Sequence, residues 1–231
     1  MNVIRSLLPV VVVSVLAGCV TAPTSPPSPV ETAALAVLAS DAGLREKARA
    51  CQELGDFGGP ASVPALAALL GKEHLADYAR SGLEGIKDPS AGEALRAALP
   101  TLEGRYLAGV VNSLGVRRDT AALPALQKLA LDPKRGAAEA EAAIASLGMI
   151  ATPAAAKTLQ TILVSGPAAL RVPAAHAALV AAEQLVRDGN TTAARAVLNA
   201  VVQALPPGHL ATAANDRVAA LSGAPVSSAR K

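Results

Sequence analysis

The sequence predicts an all-α chain, a row of similar helix pairs behind a short apolar leader. Three observations carry this. Alanine, the best helix former, supplies 54 of the 231 residues. Aromatic residues are confined to Phe57, Tyr78 and Tyr106, whereas a β-sandwich would draw on aromatic and β-branched side chains for its core. An apolar pattern at helical spacing also returns again and again along the chain, at the interval of a helical repeat.

The leader comes first. Met1 to Arg5 carries one positive charge, and Ser6 to Ala17 is a short apolar run. A run of that length suits a secretory signal and falls short of the roughly 20 residues of a membrane-spanning helix. Leu16-Ala17-Gly18-Cys19 then adds what a plain secretory leader lacks: Leu, two small residues and a cysteine. This tetrapeptide resembles the lipobox of bacterial lipoproteins. The resemblance implies that residues 1–18 are a cleaved signal peptide, that the Cys19 thiol carries diacylglycerol, and that Cys19 becomes the N-terminus. Each buried acyl methylene contributes about 0.8 kcal/mol, and stable anchoring takes more than one chain, which a lipoprotein cysteine provides. In that family an Asp after the cysteine holds the protein in the inner membrane. Val20 stands there instead, so the resemblance implies the cell envelope, and the outer membrane where the host has one.

Residues 20–30, "VTAPTSPPSPV", place four prolines among Ser and Thr. Such a segment is extended and resists helix formation, with a reach of about 3 Å per residue. Residues 19–30 therefore read as a lipidated cysteine and its tether.

The body follows. "EKARACQELG" puts Ala50, Cys51 and Leu54 on one helical face, and "SVPALAALL" supplies a partner helix with Leu66, Leu69 and Leu70. "YARSGLEGIKDPSAGEALRAAL" gives Ala79, Leu83 and Ile86, a short turn at Asp88-Pro89, then Leu95 and Leu99. From Tyr106, the set Leu107, Val110, Val111 and Leu114 returns in the same order as Ala140, Ala143, Ile144 and Leu147. Gly115 and Gly148 follow, where a helix end would use glycine as a left-handed cap. Second helices start near Ala122 and Pro153, and Leu126 and Leu159 stand at one and the same interval after the leucine of the first helix. "AALVAAEQLVRDGNTTAARAVLNAVV" gives Ala178, Ala181, Ala182 and Leu185, then Val197, Leu198 and Val201. "AANDRVAALSG" closes the array with Ala214, Val218 and Leu221. The anchors are Leu54, Ile86, Leu114, Leu147, Leu185 and Leu221. Their spacing, roughly 30–40 residues, is that of a helix-pair repeat.

One such pair cannot bury its apolar face alone; stacked neighbours can. The "A-x-x-L-G … VPAL-x-x-LL" shape resembles HEAT repeats, in particular the PBS-lyase HEAT-like type, over about residues 44–224. "LVAAEQLVRDGNTTAARAVL" is similar in part to a tetratricopeptide pair. The resemblance implies an α-solenoid of about five to six helix pairs, with a repeat domain at 31–224 and a flexible tail at 225–231.

Composition excludes some functions. The charge is +3, or +2 once Arg5 leaves with the leader, and no five like charges stand together. Neither a basic stripe nor aromatic platforms for nucleic acid are present. Two HEAT-like enzyme groups bear on catalysis. Deoxyhypusine hydroxylase holds iron with several His-Glu pairs. Here only His74, His176 and His209 exist, and only Glu73-His74 is adjacent to an acid, so no metal or cofactor is expected. Bilin lyases act in the cytoplasm and remain the alternative reading, as a ligand-handling enzyme. Cys51 falls at a core position and reads as a small buried hydrophobe. Ser81, Ser113 and Ser146 show no accompanying His and acid, and no G-x-S-x-G or P-loop occurs. Pro173-Ala174 reads as a helix start with His176 in its first turn, a solvated surface residue. Arg117-Arg118-Asp119 and Lys87-Asp88 read as turn charges that bond along the stack.

In HEAT solenoids the second helices line the inner face. Their non-core residues Glu93, Arg96, Gln127, Lys128, Lys157, Gln160, Arg195 and Asn199 form a mixed polar strip suited to a protein partner. The expectation is a non-catalytic, lipid-anchored scaffold for protein–protein interaction, with an accessory subunit of an envelope complex as a variant of it.

Overall fold

The computed structural model describes residues 26–132 and 134–222. Among these residues the chain is all-α: twelve helices, three short 3-10 turns and no strand. The segments expected to be a signal peptide (1–18), a lipidated Cys19, most of a tether and a tail (225–231) lie outside the described residues.

The helices are α1 (Pro29–Ala39), α2 (Leu44–Phe57), α3 (Val63–Ala67), α4 (Ala76–Gly85), α5 (Pro89–Ala98) and α6 (Gly104–Val116). They continue as α7 (Leu123–Leu131), α8 (Ala137–Ile150), α9 (Pro153–Ser165), α10 (Ala168–Arg187), α11 (Thr191–Ala204) and α12 (His209–Leu221). Proline stands in the first turn of α1, α3, α5, α7 and α9, where its missing N–H has no intrahelical partner to lose. Side chains cap several starts. The Ser28 hydroxyl accepts from the Glu31 N–H at 3.1 Å, the Asp88 carboxylate from Ser90 N–H at 2.9 Å, and the Thr152 hydroxyl from Ala155 N–H at 3.2 Å. Helix α1 begins at Pro29, so Pro29 and Val30 belong to the folded body rather than to the expected tether.

Packing follows chain order. Helices α2, α4, α6, α8 and α10 each lie against the next in that series. Helices α3, α5, α7, α9 and α11 fill in beside them, α1 covers α2, and α12 packs on α11. A single buried cluster runs through the whole row. Leu54, Ile86, Leu114, Leu147 and Leu185 are all buried within it, and Cys51 is completely enclosed. Leu69, Val218 and Leu221 are only half-buried, the last two because α12 has no following helix among the described residues.

Two readings need correction. Gly115 and Gly148 are not caps; they lie inside α6 and α8. A Cβ on Gly115 would meet Ser146 Cα at 2.8 Å, and one on Gly148 would meet the Ala177 carbonyl oxygen at 2.8 Å. Glycine is there because α6, α8 and α10 approach backbone to backbone. The left-handed conformation falls three residues later, at Arg118 (φ 50°) and Ala151 (φ 52°). The second correction concerns Pro173, which sits inside α10 rather than at its start. At the sixth position it forgoes one intrahelical hydrogen bond, and the helix continues through it. His176 is therefore near the middle of a 20-residue helix and not in a first turn.

Candidate functional site

The polar strip expected from the sequence is spread over four helices. Glu93 and Arg96 lie on α5, Gln127 and Lys128 on α7, Lys157 and Gln160 on α9, and Arg195 and Asn199 on α11. Glu93, Lys128, Lys157, Arg195 and Asn199 are exposed, while Arg96, Gln127 and Gln160 are half-buried. Three of the eight are engaged within the chain. Arg96 pairs closely with Asp119. The Gln127 amide donates to the Thr158 hydroxyl at 2.7 Å, and Arg195 donates to the Leu221 carbonyl at the end of α12 at 2.8 Å. Among the described residues no hydrogen bond or ion pair engages the side chains of Glu93, Lys128, Lys157, Gln160 or Asn199. These five are the part of the strip with polar groups to offer.

Of the turn charges, Arg117, Arg118 and Asp119 bond along the row, whereas the Asp88 carboxylate caps its own helix and no hydrogen bond or ion pair engages the Lys87 side chain among the described residues. Arg117, in the turn after α6, reaches back to α4. It donates to the carbonyls of Leu83 at 2.7 Å, Glu84 at 3.1 Å, Ile86 and, at 3.2 Å, Asp88. These are orphan acceptors at and just beyond the C-terminus of α4. Arg118 reaches forward to the Ile150 carbonyl at 3.3 Å and the Asp188 carboxylate at 3.0 Å. Hydrogen bonds from Arg118 and Gln184 hold Asp188 below the usual carboxylate range, and those from the Ser90 hydroxyl and N–H do the same for Asp88.

Two of the three serines, Ser113 and Ser146, have structural partners, and Ser81 is exposed. Ser113 donates to the Glu84 carboxylate at 2.6 Å, and Ser146 to the Val111 carbonyl at 2.8 Å. Each thus ties its helix to the preceding one of its series. At the N-terminal end Glu31 clasps α1 to the turn after α2, accepting from Ser62 Oγ at 2.6 Å and Gly59 N–H at 2.8 Å. Burial alone would raise the Glu31 carboxyl; the donors from Ser62, Gly59 and Ser28 outweigh it and set the group below its ordinary range. Burial pushes the Cys51 thiol up to about 11, which keeps it protonated and inert.

Sequence reasoning looked to the second helices and missed an apolar groove on the first ones. It runs between α8 and α10 and is lined by Ala145, Met149, Val172, Pro173, His176 and Val180 among others. Val172 and Val180 are 50% and 53% exposed, unusual for valine at mid-helix. An exposed ion pair, Arg217 to Glu183 at 2.7 Å, also contributes to the lining. The signal for this groove is legible afterwards: Val172, His176 and Val180 recur at i, i+4 and i+8, out of phase with the core set of the same helix.

No protein-family model and no curated protein matches the chain. The described residues contain no group of three or more His, Cys, Asp or Glu side chains placed to hold a metal. No helix among them is long and apolar enough to cross a membrane.

Proposed function

We propose that this chain is a lipid-anchored α-solenoid scaffold that binds a protein partner at a bacterial cell envelope and performs no catalysis itself. The observation that carries the solenoid part is the order of packing: α2, α4, α6, α8 and α10 lie each against the next, with side chains such as Arg117 and Ser146 bonding from one to its predecessor. That arrangement is what stacked HEAT-like pairs require. The anchor rests on Leu16-Ala17-Gly18-Cys19 and the proline-rich stretch after it. Lipid on Cys19 would hold the folded body within a tether's length of the membrane, on the outer membrane where the host has one, given Val20.

The partner surface in this reading is the second-helix strip, reduced to Glu93, Lys128, Lys157, Gln160 and Asn199. Its mixed signs favour a polar protein surface over an apolar small molecule.

Crosslinking and capture from membranes tests the whole reading, with the native chain compared against Cys19→Ser. The expected result is membrane association that the substitution abolishes, and one envelope protein recovered with the anchored form only. Charge reversal at Lys128 and Lys157 should then weaken capture. A Cys19→Ser chain that stays in the membrane fraction would sink the anchor, and a folded, anchored chain that captures nothing would sink the scaffold.

A further inference from the structure

The chain has three histidines, and the fold brings two of them together. His176 lies near the middle of α10 and His209 is the first residue of α12. The interval between them along the chain equals the one that takes Leu114 of α6 to Leu147 of α8. Their ring centroids are 6.4 Å apart and their planes tilt by 45°. Both side chains are exposed, and His176 also lines the α8–α10 groove.

Two metal–nitrogen bonds of about 2.0–2.1 Å, added to the radii of the rings, put the centroids of two imidazoles that share one ion roughly 5–6.5 Å apart. The observed pair is at the upper end of that range. We propose that His176 and His209 form a two-imidazole site for a divalent transition ion of the Zn2+ or Cu2+ class, clasping the start of α12 to α10. Neutral imidazole suits these ions, whereas Mg2+ and Ca2+ take oxygen ligands. With two protein ligands, water fills the remaining positions, so the ion is exchangeable and the site is open.

The position gives the ion a structural task. Helix α12 packs on α11 and touches α10 only sparsely. The Arg217–Glu183 pair is one tie between α10 and α12, and both its side chains are substantially exposed, so it contributes little. An ion held by both rings adds a tie at the opposite end of α12. This inference depends on neither the lipid anchor nor the protein partner.

The test is a calorimetric titration of the full chain carrying Cys19→Ser with zinc chloride, with magnesium chloride as the control. Hydrogen exchange of α12 is followed in parallel. One Zn2+ per chain is expected, no Mg2+, and slower exchange in the first turns of α12 when Zn2+ is bound. His176→Asn and His209→Asn should each weaken Zn2+ binding at least about tenfold. His74→Asn should leave it unchanged. Both substituted side chains are exposed, so circular dichroism should show the same metal-free melt as the parent. No Zn2+ binding, or binding that survives in the His176→Asn/His209→Asn double variant, overturns the site. Binding without protection of α12 overturns the clasp.

Discussion

The junction between α4 and α6 and the junction between α8 and α10 solve one packing problem by different chemistry. At the first, long polar side chains stitch the helices together. Ser113 of α6 donates to the Glu84 carboxylate of α4 at 2.6 Å, and Arg117 covers the last carbonyls of α4. At the second, no hydrogen bond crosses directly from α8 to α10 among the described residues. There Gly148 lies against Ala177, and Ala143, Ala174, Ala178 and Ala181 are all buried. The polar junction is specific in register and vulnerable to loss of either partner. The small-residue junction is indifferent to polarity but has no room for added volume.

The largest expected effect is common to both. Leu114 lies on α6, a member of the polar junction, and Leu147 on α8, a member of the close-packed one, and both are fully buried. Truncating either to Ala should cost about 2–5 kcal/mol, read from denaturant unfolding. A much smaller loss at Leu114 would show that stitching, not burial, holds the first junction. Next comes Arg117→Met, which keeps the aliphatic stem and removes the donors. It should cost about 1.5–3 kcal/mol, the range for hydrogen bonds from a charged group. Gly148→Ala reads the second junction by its sign. In an ordinary helix interior the change stabilises by about 1 kcal/mol. Against the Ala177 backbone it should instead destabilise by about 1–3 kcal/mol.

Glu31→Gln tests the clasp that closes the N-terminal end. Its folded carboxyl is set below its unfolded range, so its stabilisation is present at neutral pH and lost as pH falls through that lower range. The variant should be less stable than the parent by about 1 kcal/mol at pH 7, and the gap should close in acid. A gap independent of pH would mean the charge plays no part. The smallest effect belongs to Arg49, whose side chain is 80% exposed in its pair with Glu53. Arg49→Ala should shift stability by less than about 0.5 kcal/mol, and a larger loss would mean that surface pairs matter here as much as the buried polar junction.

The all-α class and the core register were readable because burial imposes a period. Leu54, Ile86, Leu114, Leu147 and Leu185 all fall where the spacing put them. What was not readable depends on neighbours in space. Gly115 and Gly148 look like caps in one dimension, because glycine at a helix end and glycine at a helix crossing leave the same letter. Pro173 looked like a start because the true start, at Ala168, carries no capping side chain. In the polar strip, Arg96 and Gln127 were legible as non-core positions. Their engagement with Asp119 and Thr158 was not, since those partners lie 23 and 31 residues away. The histidine pair did carry a signal, the same chain interval as Leu114 to Leu147. It gains meaning only once that interval is known to bring α10 and α12 side by side.

Every substantial helix contact among the described residues joins elements adjacent or next-but-one in the series α1 to α12. A mechanical consequence follows. A pull applied between the start of α1 and the end of α12 would be carried by the junctions in series, each bearing the full load. The exposed Arg118–Asp188 pair spans further along the row, but a surface pair of that kind is weak and would share little of it. Such a body yields stepwise, its weakest junction opening first while the others hold, and behaves under tension as an extensible link.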